Sequence, residues 1–292
     1  MPTSKKQKWF CEKLVPGKRF GHIRHCFLID KLIYQGKTKF QKILIFDNPV
    51  YGRVFCLDDI IELSESDEFI YHEMISHPFL FSHPKPENIL IIGGGDGGAL
   101  REVLKHPVKK VDLVEIDNEV IDISKKYLKF VCQSSFSDKR VKIQNLSGEK
   151  FIKDYKNYYD VIIIDCTNPS PESFSSPLYS LKFYNNIFNA LKDDGIMVTL
   201  GASFLDFNSY IRKIFWRLKK IFPLVTLYRY CMPSYHCGEY CFIGASKKIN
   251  LEKVNFNKIE ENFKKLQKKA NFKYYSPQIH KASMVLPKIW QP

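Results

Sequence analysis

Ile89-Leu90-Ile91-Ile92-Gly93-Gly94-Gly95-Asp96-Gly97-Gly98, continuing as Ala-Leu-Arg-Glu-Val-Leu-Lys to His106, decides the fold. Four apolar residues run without alternation, as in a strand buried on both faces. The glycine-rich turn that follows lets the backbone reverse tightly and approach a ligand, and a helix opens behind it. Working outward, the pattern repeats. Residues 111–116 and 117–128 form a second strand and helix, and residues 140–146, 160–165, 195–201, 224–231 and 240–246 supply further strands. Helices are expected near residues 180–191 and 207–221. Near-continuous apolar strands alternating with helices predict a doubly wound α/β sheet, covered on both faces.

The first sixty or so residues read differently. The segments at 22–29, 38–46 and 50–57 alternate apolar and polar side chains, with glycine and Asn-Pro between them. They predict a small antiparallel β domain over residues 1–65, ahead of an α/β domain over 66–292. A helix with an acidic start follows within residues 64–81, with Phe69, Met74 and Phe79 on its apolar side.

The 292 residues are 45% apolar and 14% aromatic, enough to bury a large core. The longest apolar runs hold four residues, far from the roughly 20 that span a membrane. The opening residues MPTSKKQKW carry no secretory signal pattern. The eight cysteines, at 11, 26, 56, 132, 166, 231, 237 and 241, include no CxxC pair, and they predict reduced thiols in a cytoplasmic protein. Cys231, His236, Cys237 and Cys241 lie close in sequence, but their spacing matches no zinc pattern, so no metal is expected. The net charge of +14 invites a nucleic-acid partner. From Lys247 onward, however, eleven lysines face only three acids, so that one segment carries +8. The segment reads as an amphipathic helix with Ile259, Phe263 and Leu266 inward and its lysines solvated. No nucleic acid and no membrane partner are expected.

Acids gather instead around the glycine turn. Glu115 ends the second strand 22 residues after Gly93, near the offset at which an acid grips ribose hydroxyls in nucleoside-binding sheets. Asp96 lies inside the turn, where its charge repels the pyrophosphate of a dinucleotide and suits a ligand with a cationic tail. Asp165 stands at the carboxyl end of the strand 160–165, where open α/β sheets bind ligands. Three carboxylates around one crevice in a cationic chain call for a cationic occupant, such as an adenosyl sulfonium bearing a free amine. An aliphatic amine has a pKa near 10, so carrying only its neutral fraction at pH 7 costs about 4 kcal/mol. A carboxylate does not lower that pKa, but it accepts the proton once the amine is positioned. Asp165 is therefore the candidate general base.

The glycine-turn stretch, Leu-Val-Glu-Ile-Asp at 113–117, the strand at 160–165 followed by Asn168-Pro169, the stretch 67–74 with its Tyr-His-Glu-Met, and the closing segment 274–290 together resemble the polyamine aminopropyltransferases, the spermidine synthase family. The resemblance covers nearly the whole chain. It implies a methyltransferase-like Rossmann domain behind an N-terminal β domain that joins subunits into dimers or tetramers and acts as an acceptor lid. The implied reaction moves an aminopropyl group from decarboxylated S-adenosylmethionine, a co-substrate rather than a cofactor, to a polyamine, releasing methylthioadenosine. By motif, Gln41, His72, Gly93, Gly95, Asp96, Glu115, Ser147 and Gly148 would bind the donor. Tyr71, Asp165, Asn168 and Tyr235 would line the acceptor channel.

Three departures stand out. Asn168 replaces the second aspartate that usually binds the acceptor's amine, and an amide carries no charge. Ser147-Gly148 replaces Asp-Gly near the adenine. The segment after Asp165 is two residues longer than in typical spermidine synthases, as in the thermospermine and spermine synthases. Putrescine is the expected acceptor, with spermidine or agmatine as alternatives. An S-adenosylmethionine-dependent methyltransferase on the same fold and a non-enzymatic basic binding protein are the readings from other classes.

Overall fold

The computed structural model describes residues 7–13, 23–167, 175–206 and 210–292. The chain divides into two compact units. One runs through Glu68 and takes back Pro233–His236, and the other comprises Phe69–Met232 and Cys237–Pro292.

In the first unit, β1 (Lys8–Cys11) pairs antiparallel with β2 (Cys26–Ile29). Strands β3 (Lys31–Lys37), β4 (Lys42–Asn48), β5 (Gly52–Leu57) and β6 (Ile60–Ser64) form an antiparallel meander. Phe10, Phe27, Phe46, Val54, Cys56 and Ile61 make its core. The β1–β2 register sets Cys11 opposite Cys26, and the two form a disulfide with Cα atoms 4.1 Å apart. This corrects the expectation of eight reduced thiols. Fifteen residues separate the two cysteines in sequence, and only strand pairing makes them neighbours. The six other cysteines are not disulfide-bonded.

Helix α1 (Glu68–Ser82) lies in the second unit from Phe69 on and is followed by β7 (Asn88–Gly93), α2 (Gly98–Lys105), β8 (Lys110–Val114), α3 (Asn118–Tyr127), the short α4 (Lys129–Cys132) and β9 (Val141–Gln144). After the one-turn α5 (Gly148–Phe151) come β10 (Tyr159–Asp165), α6 (Leu181–Ala190), β11 (Leu191–Ser203), α7 (Arg212–Lys219), β12 (Leu224–Cys231), β13 (Glu239–Ser246), α8 (Phe256–Leu266) and α9 (Pro277–Ser283). The strand order is β12-β13-β11-β10-β7-β8-β9. The five strands from β11 to β9 are parallel, and the β12–β13 hairpin adds antiparallel to β11. Ile89–Ile92 and Val161–Ile164 are at most 1% exposed, so the strands read as doubly buried form the centre of the sheet. Each such side chain contributes about 1.5–3 kcal/mol relative to exposure. From β7 the chain winds outward through β8 and β9, then returns to β10 and β11 on the other side. Right-handed crossovers in opposite directions place helices on both faces. The switch point lies between β7 and β10, where Gly93 pairs with Asp165. On α8, Ile259 is buried while Phe263 and Leu266 are half-buried. Among the described residues no helix is long and apolar enough to cross a membrane.

Candidate functional site

At the carboxyl ends of β7 and β10 the backbone makes the first contact of the site. Gly93 adopts φ +84°, and a β-carbon there would collide with the Asp165 carbonyl. Only glycine takes this turn without strain. The close approach lets Gly94 N donate a 2.9 Å hydrogen bond to Asp165 O, tying the glycine turn to the end of β10.

Asp96 and Asp165 converge from these two elements. One side-chain donor atom each from His72, Asp96 and Asp165 lies within 4.8 Å of the others. Asp96 Oδ1 accepts from Gly98 N at 2.6 Å, at the first turn of α2, and His72 Nε2 stands 3.3 Å from the same oxygen. Gly98 leaves room for the imidazole, since a β-carbon there would overlap the His72 ring. Tyr71, one residue earlier on α1, donates from Oη to Asp165 Oδ1 at 2.7 Å. Among the described residues, Asp165 Oδ2 is buried with no hydrogen-bond partner.

The carboxylates are tuned apart. Burial pushes the Asp165 carboxyl up, the Asp96 charge adds to it, and His72 and the Tyr71 hydroxyl oppose; the result is about 6. Burial also acts against the Asp96 charge, but His72, the Gly98 N–H and Arg101 outweigh it and hold Asp96 below the usual carboxylate value. Asp96 is thus the permanent anion, and Asp165 titrates close to neutral pH, where a general base works best. Glu115, just past β8, lies against Gly95. Burial raises its carboxyl to about 7, with Asp117 and Asp165 adding while the Asp117 and Ile116 N–H groups oppose. Its Oε1 accepts from Asp117 N at 2.8 Å.

Other sequence-predicted residues fall around or apart from this group. Ser147 is the residue before α5, at the carboxyl edge beyond β9, and makes no side-chain capping bond; Gly148 packs on Ile92 too closely to carry a side chain. Gln41 and Tyr235 both belong to the first unit. The Gln41 backbone N–H donates to Thr38 Oγ1 at 3.1 Å, and Tyr235 Oη donates to Glu62 O at 2.6 Å. Asn168 lies outside the described residues.

Sequence reasoning missed four residues. Cys166 follows the candidate base, and burial with the Glu115 and Asp165 charges raises its thiol well above the usual value. Tyr230 and Phe242 pack their rings on Tyr71, at 5.8 and 5.2 Å. Glu73, next to His72, accepts backbone N–H bonds from Lys273, Tyr274 and Tyr275 at 2.6–2.9 Å. The Tyr-His-Glu-Met motif thereby combines two site residues with a buried clamp on a segment 200 residues away.

His72, Asp96 and Asp165 are a donor set for a cation. A second cluster, His83 with Asp160 and Asp194, belongs to the opposite end of β10. There His83 Nδ1 accepts from Lys85 N, which leaves the ring proton on Nε2 and no lone pair for a metal. Lys192 Nζ already lies 2.8 Å from Asp160 Oδ1.

The chain is similar to known proteins over nearly its whole length. A family model described as the spermine/spermidine synthase domain matches residues 68–277, and one described as the spermidine synthase tetramerisation domain matches residues 8–65. The chain is 40% identical over 273 residues to a polyamine aminopropyltransferase of Hydrogenobaculum sp., covering 93% of each chain. It is 44% identical over 230 residues to polyamine aminopropyltransferase 1 of Aquifex aeolicus, covering 78% of this chain and 81% of that one. A spermidine synthase solved in complex with the transition-state analogue AdoDATO superposes with a TM-score of 0.90 at 36% identity, over 98% of this chain and 94% of that chain. The spermidine synthase of Thermotoga maritima gives 0.88 at 36% identity, over 98% and 93%.

Proposed function

The chain belongs to the spermine/spermidine synthase family and is an aminopropyltransferase, and on that premise we propose that it transfers the aminopropyl group of decarboxylated S-adenosylmethionine to putrescine, giving spermidine and methylthioadenosine. The observation that carries this reading is the convergence of Asp96 and Asp165 within 4.8 Å, with one oxygen of Asp165 buried and unpartnered. Two anions at that spacing suit two amines brought together, the tail of the donor and the nucleophile.

In this assignment Asp96 holds the donor's amine and Glu115 its ribose hydroxyls, with Gly93 and Gly95 allowing close approach. Ser147 and Gly148 border the adenine, and His72 fixes Asp96. On the resemblance alone, Gln41 is assigned to the donor and Tyr71, Asn168 and Tyr235 to the acceptor. The amine lone pair attacks the carbon next to sulfur. The N–C bond forms as the C–S bond breaks, the electron pair goes to sulfur, and the nitrogen's proton passes to Asp165 Oδ2. The leaving group is a neutral thioether, so the chain's contribution is positioning, proton acceptance and charge.

Asn168 weakens the case for a diamine's distal end, because an amide offers no charge to an ammonium. Spermidine and agmatine are therefore the competing acceptors. Incubation with the decarboxylated donor and a panel of amines, with products identified by mass spectrometry, tests the assignment. Putrescine is expected to give the highest kcat/KM, and a preference for spermidine or agmatine would replace it.

The first unit is assigned to oligomerisation. Its matching family model carries that description, and Trp9, Leu32 and Val50 expose large apolar surface, Val50 at 78%. A homodimer or homotetramer is expected in light scattering, and a monomer would remove this assignment.

A further inference from the structure

Tyr230 stands near the end of β12 with 2% of its surface exposed. Its ring stacks on Phe242 at 4.3 Å and meets the edge of Tyr71 at 5.8 Å. Among the described residues its hydroxyl is buried and has no hydrogen-bond partner. Tyr228, two residues earlier and equally buried, shows the ordinary solution, donating to Met74 O at 2.7 Å. An unpaired buried hydroxyl is destabilising, and most such groups in folded proteins are satisfied. A phenylalanine would fill this aromatic cluster without that cost, so the oxygen calls for a reason.

The reason lies in its neighbourhood. Tyr71 packs on Tyr230 and hydrogen-bonds Asp165 Oδ1, and Asp165 Oδ2 is the second orphaned oxygen linked to this cluster. Burial, with the Tyr240, Cys241 and Asp165 groups adding, holds the Tyr230 phenol well above its usual pKa, so it stays neutral beside the carboxylate. Tyr71 thus links a neutral oxygen to an anionic one, and neither is hydrogen-bonded among the described residues.

We propose that Tyr230 is a specificity-determining residue of the amine site, whose oxygen accepts one N–H of the attacking primary amine while Asp165 Oδ2 accepts the other. The proposal rests on the aminopropyl-transfer reading. A neutral primary amine has two N–H bonds and one lone pair. With one N–H on each oxygen, the lone pair is left for the carbon beside sulfur. During transfer the proton on the Asp165 side moves to Oδ2, the N–C bond forms and the C–S bond breaks, while the Tyr230 hydrogen bond is kept. A secondary amine has only one N–H. It satisfies Asp165 and leaves the Tyr230 oxygen orphaned, and sites built to pair a polar group discriminate strongly on this basis. The pair therefore selects primary over secondary amines.

The test compares 1,4-diaminobutane with its N,N′-dimethyl derivative, each with the decarboxylated donor, in the wild-type chain and in Tyr230→Phe. The variant is expected to lose about tenfold in kcat/KM on the primary amine, equivalent to one net hydrogen bond. It should stay within about twofold of wild type on the dimethylated amine, so selectivity falls by the same tenfold. Its melting temperature should match or exceed wild type, because an orphaned hydroxyl is removed. Equal losses on both amines, or none, would overturn the role of Tyr230. A wild-type chain that binds the donor and turns over neither amine would overturn the transfer reading itself.

Discussion

Tyr71 Oη donates to Asp165 Oδ1 at 2.7 Å across 94 residues of sequence, and this single bond divides the carboxylate into a held oxygen and a buried, unpartnered one. The orientation of Oδ2 is thereby set by α1. Tyr71 therefore acts on the proton acceptor, whatever contact it also makes with the amine.

Replacing Asp165 by Asn keeps the shape and the acceptor for Tyr71 but removes the base. Turnover should fall about 10²–10⁴-fold, with methylthioadenosine affinity largely kept. In the wild type, kcat/KM should fall as pH drops through about 6, because burial and Asp96 raise the Asp165 carboxyl to that value and only the ionised form accepts a proton. Unchanged turnover in the variant would remove Asp165 from the mechanism.

Glu115 opposes stability and function. Its carboxyl is raised to about 7, so between the unfolded carboxylate value near 4.3 and 7 the folded state binds more protons than the unfolded one. Its contribution to stability therefore declines as pH rises through that window. Glu115→Gln should raise stability at pH 7.5 by on the order of 1–3 kcal/mol and weaken methylthioadenosine binding about tenfold or more. Thermal melts with and without the nucleoside measure both effects, and a variant that melts lower without ligand would contradict the burial argument.

Glu73 is 1% exposed and takes three backbone N–H bonds from residues 273–275. Glutamine supplies one acceptor oxygen and turns its NH₂ towards donors. Glu73→Gln should cost about 2–4 kcal/mol of stability and lower the melting temperature by several degrees. Glu73→Asp should recover less than half of the loss, because the shorter arm does not reach all three groups.

The Cys11–Cys26 disulfide changes how the thiols should count. Alkylation of the denatured, unreduced chain should modify six of the eight cysteines, with Cys11 and Cys26 appearing only after reduction. Peptide mapping that finds all eight labelled without reductant would show that the chain as isolated lacks the bond.

The sequence alone determined the sheet and the positions of the acids. The run from Ile89 to Gly98 and the strand ending at Asp165 report their structure locally, because double burial demands unbroken apolar strands and a tight turn demands glycine. Asp96, Glu115 and Asp165 were readable for the same reason: strand ends in a doubly wound sheet open on one side, so position along the strand stands in for position in space. Tertiary structure alone decided the rest. Glu73 and Lys273 are 200 residues apart, Cys11 and Cys26 fifteen, and Pro233–His236 rejoins a unit that otherwise ends at Glu68. Nor does any local pattern mark Tyr230 as different from Tyr228, since both lie on one face of one strand and only what surrounds each hydroxyl separates them. Periodicity encodes which face of an element is buried. It does not encode which partner waits there, because that depends on chain segments whose approach is set by packing over the whole unit.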